Sequence, residues 1–451
     1  MHVQPWSTLT APIPLSAITD DLAAGRLTSS ELVDRCLATI AQHDPTLHAW
    51  VLVDELRARQ LAAASDSRRA SGSPLSPLDG IPFGVKDIID VAHLPTSAGS
   101  PRLATDPASR DADLVASLRQ AGLIPLGKTT TTAYAWIDPP PTLNPWNPHH
   151  TPGGSSSGSA AAVAAGMVPA ALGSQTGGSI IRPAAYCGVC GLKPTYQLLP
   201  SRGILPLAPS LDHPGLIAPT IADLQLLWSL LQPNRTPSLT PPLRFARLRY
   251  GFDDMCQPVA IHALDHFVHL LSTHGASLCE VDPLASLSQI RANHRLILAV
   301  EAARIHNQRQ RQDPDAYLPL ISRLIDEGRT IAHSDYAAAL DHLAQARASA
   351  SSLFKTADVL ITPAAPGPAP DRSTTGDPIL NSPWSYLGLP TVCLPIARSL
   401  DGLPLAAQLI GPPHSEPTLL AIACWCQRLR TDVPTLEGDR LASPGPPTPP
   451  P

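Results

Sequence analysis

The residues of this 451-residue chain that could do chemistry fall in two runs of small side chains. The first is Thr151-Pro152-Gly153-Gly154-Ser155-Ser156-Ser157-Gly158-Ser159. The second, beyond an alanine-rich stretch from Ala160 to Gly166, is Gly173-Ser174-Gln175-Thr176-Gly177-Gly178-Ser179. Glycines in a tight turn leave successive backbone N–H groups uncovered, which is what a tetrahedral oxyanion requires, and each such donor is typically worth about 10²–10³ in rate. The amides of Thr176, Gly177, Gly178 and Ser179 are therefore candidate oxyanion donors, and Ser179, closing the turn, is a candidate nucleophile. A serine hydroxyl is a poor nucleophile unaided, so a base has to be found elsewhere in the chain.

Lysine usage narrows that search. Of 32 basic residues only Lys86, Lys128, Lys193 and Lys355 are lysine. Arginine keeps its proton in a protein, whereas a buried lysine can release it, so a lysine retained in an arginine-rich chain flags a candidate base. Lys86 ends the alternating segment Ile81-Pro82-Phe83-Gly84-Val85-Lys86, which reads as a short strand delivering it. Structural roles are expected for Lys128 and Lys193, and none of the 16 histidines is assigned to catalysis.

Rival readings of the same residues are weaker. Neither phosphate-loop pattern, G-x-x-x-x-G-K-[ST] or G-x-G-x-x-G, occurs, and apolar flanks argue against a flexible linker. Gly154-Ser155-Ser156-Ser157-Gly158 matches G-x-S-x-G, but that motif must follow a strand, and Asn147 to Pro152 is not one. Ser352 and Lys355 match S-x-x-K without its partner motifs.

The elements that must position these residues follow from periodicity and breakers. A helix is expected from Ser29 to about Gln42, opened by a capping box of Thr28 and Glu31, and a second from about Val53 to Arg69. Ser71 to Asp79 reads as a loop, Leu114 to Gln120 as a helix and Leu123 to Leu126 as a strand. Ala160 to Ala165 makes a slim helix with Ser159 as N-cap, Val168 to Leu172 a strand, and Thr176 to Ser179 a turn entering another helix. Beyond Pro219 a helical stretch precedes a proline-rich loop over 233–242, and Tyr250 and Gly251 close a strand. Ala260 to His274 is a helix, Ala276 to Val281 an apolar stretch, and 286–354 is mostly helical. Asp358 to Thr362, Thr391 to Pro395 and Leu405 to Ile410 read as buried strands. Alternation of this kind indicates an α/β protein with a mixed sheet. Residues 1–443 are expected to form one domain, with an irregular arm over 1–14 and a disordered proline-rich tail over 444–451.

Composition excludes several function classes. Charged residues make up 15% and the net charge is −5, with no lysine–arginine cluster, so no nucleic-acid partner is expected. No run of about 18 apolar residues appears, so no membrane span is expected, and the N-terminus lacks a secretion signal. The expected location is cytoplasmic. Eight cysteines include Cys187-x-x-Cys190 and the pair Cys424 and Cys426, but no second well-spaced pair completes a zinc site, so no metal is expected.

Gly153 to Thr195 resembles the signature of the amidase-signature family, whose general form is G-G-S-S-G-G-S, an alanine-rich helix, D-T-G-G-S and G-x-x-G-x-K-P-T. The chain has Gly153 to Ser159, Gln175-Thr176-Gly177-Gly178-Ser179, and Gly188-Val189-Cys190-Gly191-Leu192-Lys193-Pro194-Thr195. Gly80 to Asp87 is similar to the strand carrying the family's lysine. Asp358 to Pro363, Gly388-Leu389-Pro390 and Gly402 to Pro412 resemble downstream family segments, so the likeness spans roughly 16–430, with a signature core near 80–200. It implies an α/β amidase-signature fold with a mixed central sheet covered by helices on both sides. It also implies a Ser–cis-Ser–Lys triad of Ser179, Ser155 and Lys86, working without cofactor or metal through an acyl-enzyme. Three positions depart from the pattern: Ser157 replaces a glycine, Gln175 replaces an acidic residue, and Arg182 lies three residues after Ser179 rather than two.

The resulting expectation is an amidohydrolase cleaving a small-molecule amide, a monomer or homodimer, with Gly154, Tyr134 and Trp136 as substrate-binding candidates. The same triad would serve the glutamine amidase component of a tRNA-dependent amidotransferase, and an inactive binding protein on this fold is a third reading. The intact triad residues count against the last.

Overall fold

The computed structural model describes residues 12–102, 104–233, 236–237, 241–279, 281 and 287–430. The tail expected over 444–451 and most of the arm over 1–14 lie outside them.

Among the described residues eleven strands form one mixed sheet: β1 (Trp50–Val53), β2 (Pro82–Lys86), β3 (Ile124–Thr129), β4 (Ala171–Gln175), β5 (Cys190–Lys193), β6 (His213–Ala218), β7 (Arg244–Arg247), β8 (Ser277–Cys279), β9 (Val359–Pro363), β10 (Thr391–Arg398) and β11 (Pro404–Ile410). Their order is β1-β3-β2-β4-β6-β5-β10-β11-β9-β7-β8. β2 runs parallel to both β3 and β4, whereas β6 returns antiparallel beside β4. The parallel strands β2 and β4 therefore end at the same edge. Gly84 pairs with Ala171 and Val85 with Leu172, which brings Lys86 beside the Gly173–Ser174 step.

Helices cover this sheet. Ser157–Ala164 crosses β2, β3 and β4, while Ile181–Cys187 lies on β5, β10 and β11. The first can lie so close because it is built of glycine, serine and alanine. A Cβ on Gly158 would meet the Ala49 carbonyl at 2.2 Å and the Thr130 nitrogen at 2.4 Å, so only glycine fits there. Pro319–Thr330 and His333–Ser349 each pack on Leu287–Gln312, forming a helical wall. Among the described residues no helix is long and apolar enough to cross a membrane.

Several local expectations shift. The capping box of Thr28 and Glu31 opens its helix, which extends to Leu47. The second helix starts at Glu55, not Val53: Asp54 accepts from the Arg57 amide as its N-cap, and Trp50–Val53 forms an edge strand. β2 is buried on both faces, so alternation along Ile81 to Val85 does not separate an inner from an outer side. Tyr250 and Gly251 lie in a turn beyond β7. The alanine helix begins at Ser157, so Ser159 is not its cap; its hydroxyl instead bonds the Leu172 carbonyl (2.9 Å) and Thr129 (2.7 Å).

Candidate active site

Lys86 is fully buried at the end of β2. Its Nζ donates to Ser155 Oγ at 2.7 Å and to Ser174 Oγ at 2.8 Å, with the Ser174 carbonyl at 3.4 Å. Among the described residues no carboxylate touches it. Burial pulls its ammonium from the ordinary 10.5 down to about 7, against the more distant charge of Asp212. A buried lysine held by hydroxyls is thus poised to exist neutral near neutral pH.

Ser155 follows a cis Gly154–Ser155 peptide. Its carbonyl accepts from Thr131 Oγ1 (3.0 Å) and the Thr132 amide (3.3 Å), which ties the serine loop to the segment after β3. The Ser156 amide donates to the Ser179 carbonyl at 3.3 Å, joining this loop to the second one. Ser156 itself is engaged with β4, giving its hydroxyl to the Ser174 carbonyl and accepting from the Ser174 amide, and no strand precedes it. The elbow geometry is absent at Ser156, as its flanks indicated.

Ser179 sits between β4 and the helix Ile181–Cys187. Among the described residues the N–H groups of Gly177, Gly178 and Ser179 donate to no protein acceptor, so they stand free for a ligand oxygen. The turn is clamped from four directions. Gln175 Oε1 accepts from the Ile180 and Ile181 amides (2.9 and 3.0 Å), and its Nε2 donates to Ser385, whose hydroxyl bonds the Gly177 carbonyl (2.7 Å). Glutamine at this departure thus supplies an acceptor at a helix N-terminus and a donor toward Ser385, without a charge. Thr176 Oγ1 donates to Asp212 (2.5 Å), and His294 Nε2 donates to the Thr176 carbonyl (2.9 Å). Burial pushes His294 down to about 4, so it is a neutral donor. At Gly178 a Cβ would stand 2.5 Å from Asn381 Oδ1, and Asn381 is in turn bonded to Gln408 of β11. The downstream segments thus back the turn.

The other departures also have local reasons. Ser157 Oγ donates to the Gly153 carbonyl at 2.6 Å. Arg182 is buried and donates from Nη2 to the Gly154 carbonyl (2.8 Å) and Thr375 (3.3 Å). Lys128 is paired with Asp87 at 2.9 Å, and Lys193 donates to the Leu389 carbonyl at 2.5 Å.

A cavity of about 480 Å³ opens on Ser179 and the turn. Trp136 lines it, under the guanidinium of Arg295 at 5.0 Å from the ring. Tyr134 does not. It is buried, stacked on Tyr317 at 4.2 Å, with its hydroxyl on the Ala316 carbonyl, because Tyr134 and Ala135 both take left-handed backbone angles and the chain reverses there. Gly154 is also absent from the cavity wall; its carbonyl belongs to Arg182 and a Cβ there would meet Thr375 at 2.9 Å. Ser174, Asp212 and His294 were not anticipated. The eight cysteines are free, and no metal-holding cluster occurs among the described residues.

Known proteins resemble this chain along most of its length. The family described as Amidase matches residues 31–420. A glutamyl-tRNA(Gln) amidotransferase subunit of Chloroflexus aggregans is 34% identical, covering 95% of this chain and 98% of its own length. A 1-carboxybiuret hydrolase subunit of Pseudomonas sp. strain ADP is 35% identical over 88% of this chain and 94% of its own. The solved structure of the native peptide amidase of Stenotrophomonas maltophilia superposes with a TM-score of 0.79 at 27% identity, covering 94% of this chain and 98% of that one.

Proposed function

Since the chain belongs to the amidase family, whose members are hydrolases of carbon–nitrogen amide bonds, we propose that it is a stand-alone amidohydrolase cleaving a small-molecule amide through an acyl-enzyme on Ser179. Neutral Lys86 takes a proton from the Ser155 hydroxyl, which takes one from Ser179, and the Ser179 oxygen attacks the amide carbonyl. The amides from Thr176 to Ser179 receive the oxyanion. Ser155 returns a proton to the leaving amine, and water then releases the acid. Apart from the hydrolytic water, every group this sequence uses is a side chain or backbone amide of the protein. The observation that carries the reading is the 2.7 Å bond between buried Lys86 and Ser155, with no carboxylate in contact to keep the lysine charged.

A second reading is favoured by the similarity to the tRNA amidotransferase relative along nearly the full chain: a glutamine amidase working with partner chains. Monomer or homodimer suits the first reading, and a complex of several different chains the second. Fluorophosphonate labelling with peptide mapping tests the shared chemistry. Label on Ser179 that disappears in Lys86→Ala is expected, and label on Ser156 or Ser352 would overturn the triad. Ammonia release from small amides by the purified chain, without ATP or tRNA, is expected of the first reading; release only with partner chains would favour the second.

A further inference from the structure

The cavity in front of Ser179 has an unbalanced charge. Its wall carries Arg182, Arg291 and Arg295 against one carboxylate, Asp377. Arg295 is exposed and neutralised by Glu327, to which Nε donates at 3.0 Å. The other two have no such partner. Among the described residues neither Arg182 nor Arg291 lies within ion-pair distance of any carboxylate, and Nε of both, with Nη1 of Arg182, are buried without an acceptor. Asp377 is exposed, accepts from the Ile379 amide (2.9 Å), and supports both arginines only from beyond ion-pair distance. His294 adds no charge, since burial keeps it neutral.

A guanidinium cannot escape burial by losing its proton, and a buried charge without a counter-ion is costly. The two arginines differ in what they can still reach. Arg182 is 1% exposed and already holds the Gly154 carbonyl, so it contributes its charge to the wall rather than a free donor. Arg291, on the helix Leu287–Gln312, is only half-buried. It makes one hydrogen bond, from Nη2 to the Gly251 carbonyl (3.0 Å), and leans on the face of Phe252 at 5.9 Å. Among the described residues its Nη1 is neither buried nor bonded to the protein, which leaves a charged donor to offer a carboxylate. A volume of about 480 Å³ suits a small molecule that reaches both walls.

We propose that this cavity selects amides bearing a carboxylate, anchored by Arg291 in the cavity that Ser179 also lines, with the charge of Arg182 reinforcing the field. The proposal rests on the reading of Ser179 as nucleophile, so its test reads binding rather than turnover. Ser179→Ala protein is titrated calorimetrically with the monoamides of three- to five-carbon dicarboxylic acids and with uncharged amides of equal length. At least one charged member is expected to bind ten times more tightly than its neutral counterpart. That preference is expected to vanish in Ser179→Ala/Arg291→Gln and to survive in part with Arg291→Lys, circular dichroism showing that each variant folds. Equal binding of charged and neutral members, or a preference unaltered by Arg291→Gln, would overturn the proposal. A preference that persists while fluorophosphonate fails to label Ser179 in the wild-type protein would uphold this anchor and sink the nucleophile instead.

Discussion

Lys86 and Lys128 stand on neighbouring parallel strands, β2 and β3, at almost the same level of the sheet, and both are fully buried. Their surroundings divide them. Lys128 meets the carboxylate of Asp87 at 2.9 Å, with Thr96 and the Pro95 carbonyl completing its shell. Among the described residues Lys86 meets only hydroxyls and a carbonyl. Burial pulls both below the ordinary lysine value, but Asp87 pulls Lys128 back toward the charged form. The same residue type in one layer therefore makes a brace in one place and a candidate base in the next. The deciding feature is the partner, not the depth.

The sharpest way to break that contrast is to remove each amine in turn. Lys86→Ala is expected to cut amide turnover by about 10²–10⁴, the usual worth of a positioned proton acceptor, while the protein stays folded. Lys128→Ala is expected to do the reverse. It strands Asp87 in the interior and costs roughly 3–5 kcal/mol of stability, which denaturant titration would read, while fluorophosphonate still labels Ser179 in the folded fraction. Equal turnover losses in the two variants, measured on folded protein, would show that the brace takes part in the chemistry.

A pH dependence sharpens the same comparison by a smaller effect. Lys86 has a folded value near 7 against 10.5 for the free side chain. Between those values the unfolded chain holds a proton that the folded one has shed, so this group makes stability rise with pH across that window. Activity should fall as pH drops through about 7 and the base becomes charged. In Lys86→Met the additional rise in stability between pH 7 and 10 should disappear from denaturant midpoints, leaving the slope contributed by other groups. A slope identical to that of the wild type would mean that Lys86 is charged in the folded protein at neutral pH.

How much of this was legible in the sequence depends on how local each feature is. The glycine–serine loops, the Thr28–Glu31 cap and the strand bearing Lys86 are written in consecutive residues. They could be read because turn chemistry and capping act over a few positions. β1 escaped because Trp50–Val53 is a four-residue apolar run abutting a helical pattern, which periodicity cannot separate. Ser174 escaped for another reason: it reaches Lys86 only through the pairing of β2 with β4, a register that no local pattern encodes. Asp212 and His294 bond Thr176 from 36 and 118 residues away. Their types carried no signal, since a histidine held neutral by burial looks like any other histidine in a list of 16.

The division between brace and chemistry separates Tyr134 from Trp136 in the same way, two residues apart and with the smallest expected effect. Tyr134 faces Tyr317 and His306, whereas Trp136 forms part of the cavity wall beneath Arg295. Tyr134→Phe removes one hydrogen bond to Ala316, worth about 0.5–1.5 kcal/mol, and should lower the unfolding midpoint while leaving KM unchanged across an amide panel. Trp136→Ala opens the cavity and frees Arg295 from its aromatic seat. It should alter the ranking of amides by KM, by roughly the factor of ten that 1.4 kcal/mol of lost contact gives, with little change in stability, because the ring is not enclosed on all sides. If Tyr134→Phe reorders the substrates and Trp136→Ala does not, the reversal at Tyr134 and Ala135 couples the buried stack to the cavity, and the boundary between support and site lies deeper than the wall.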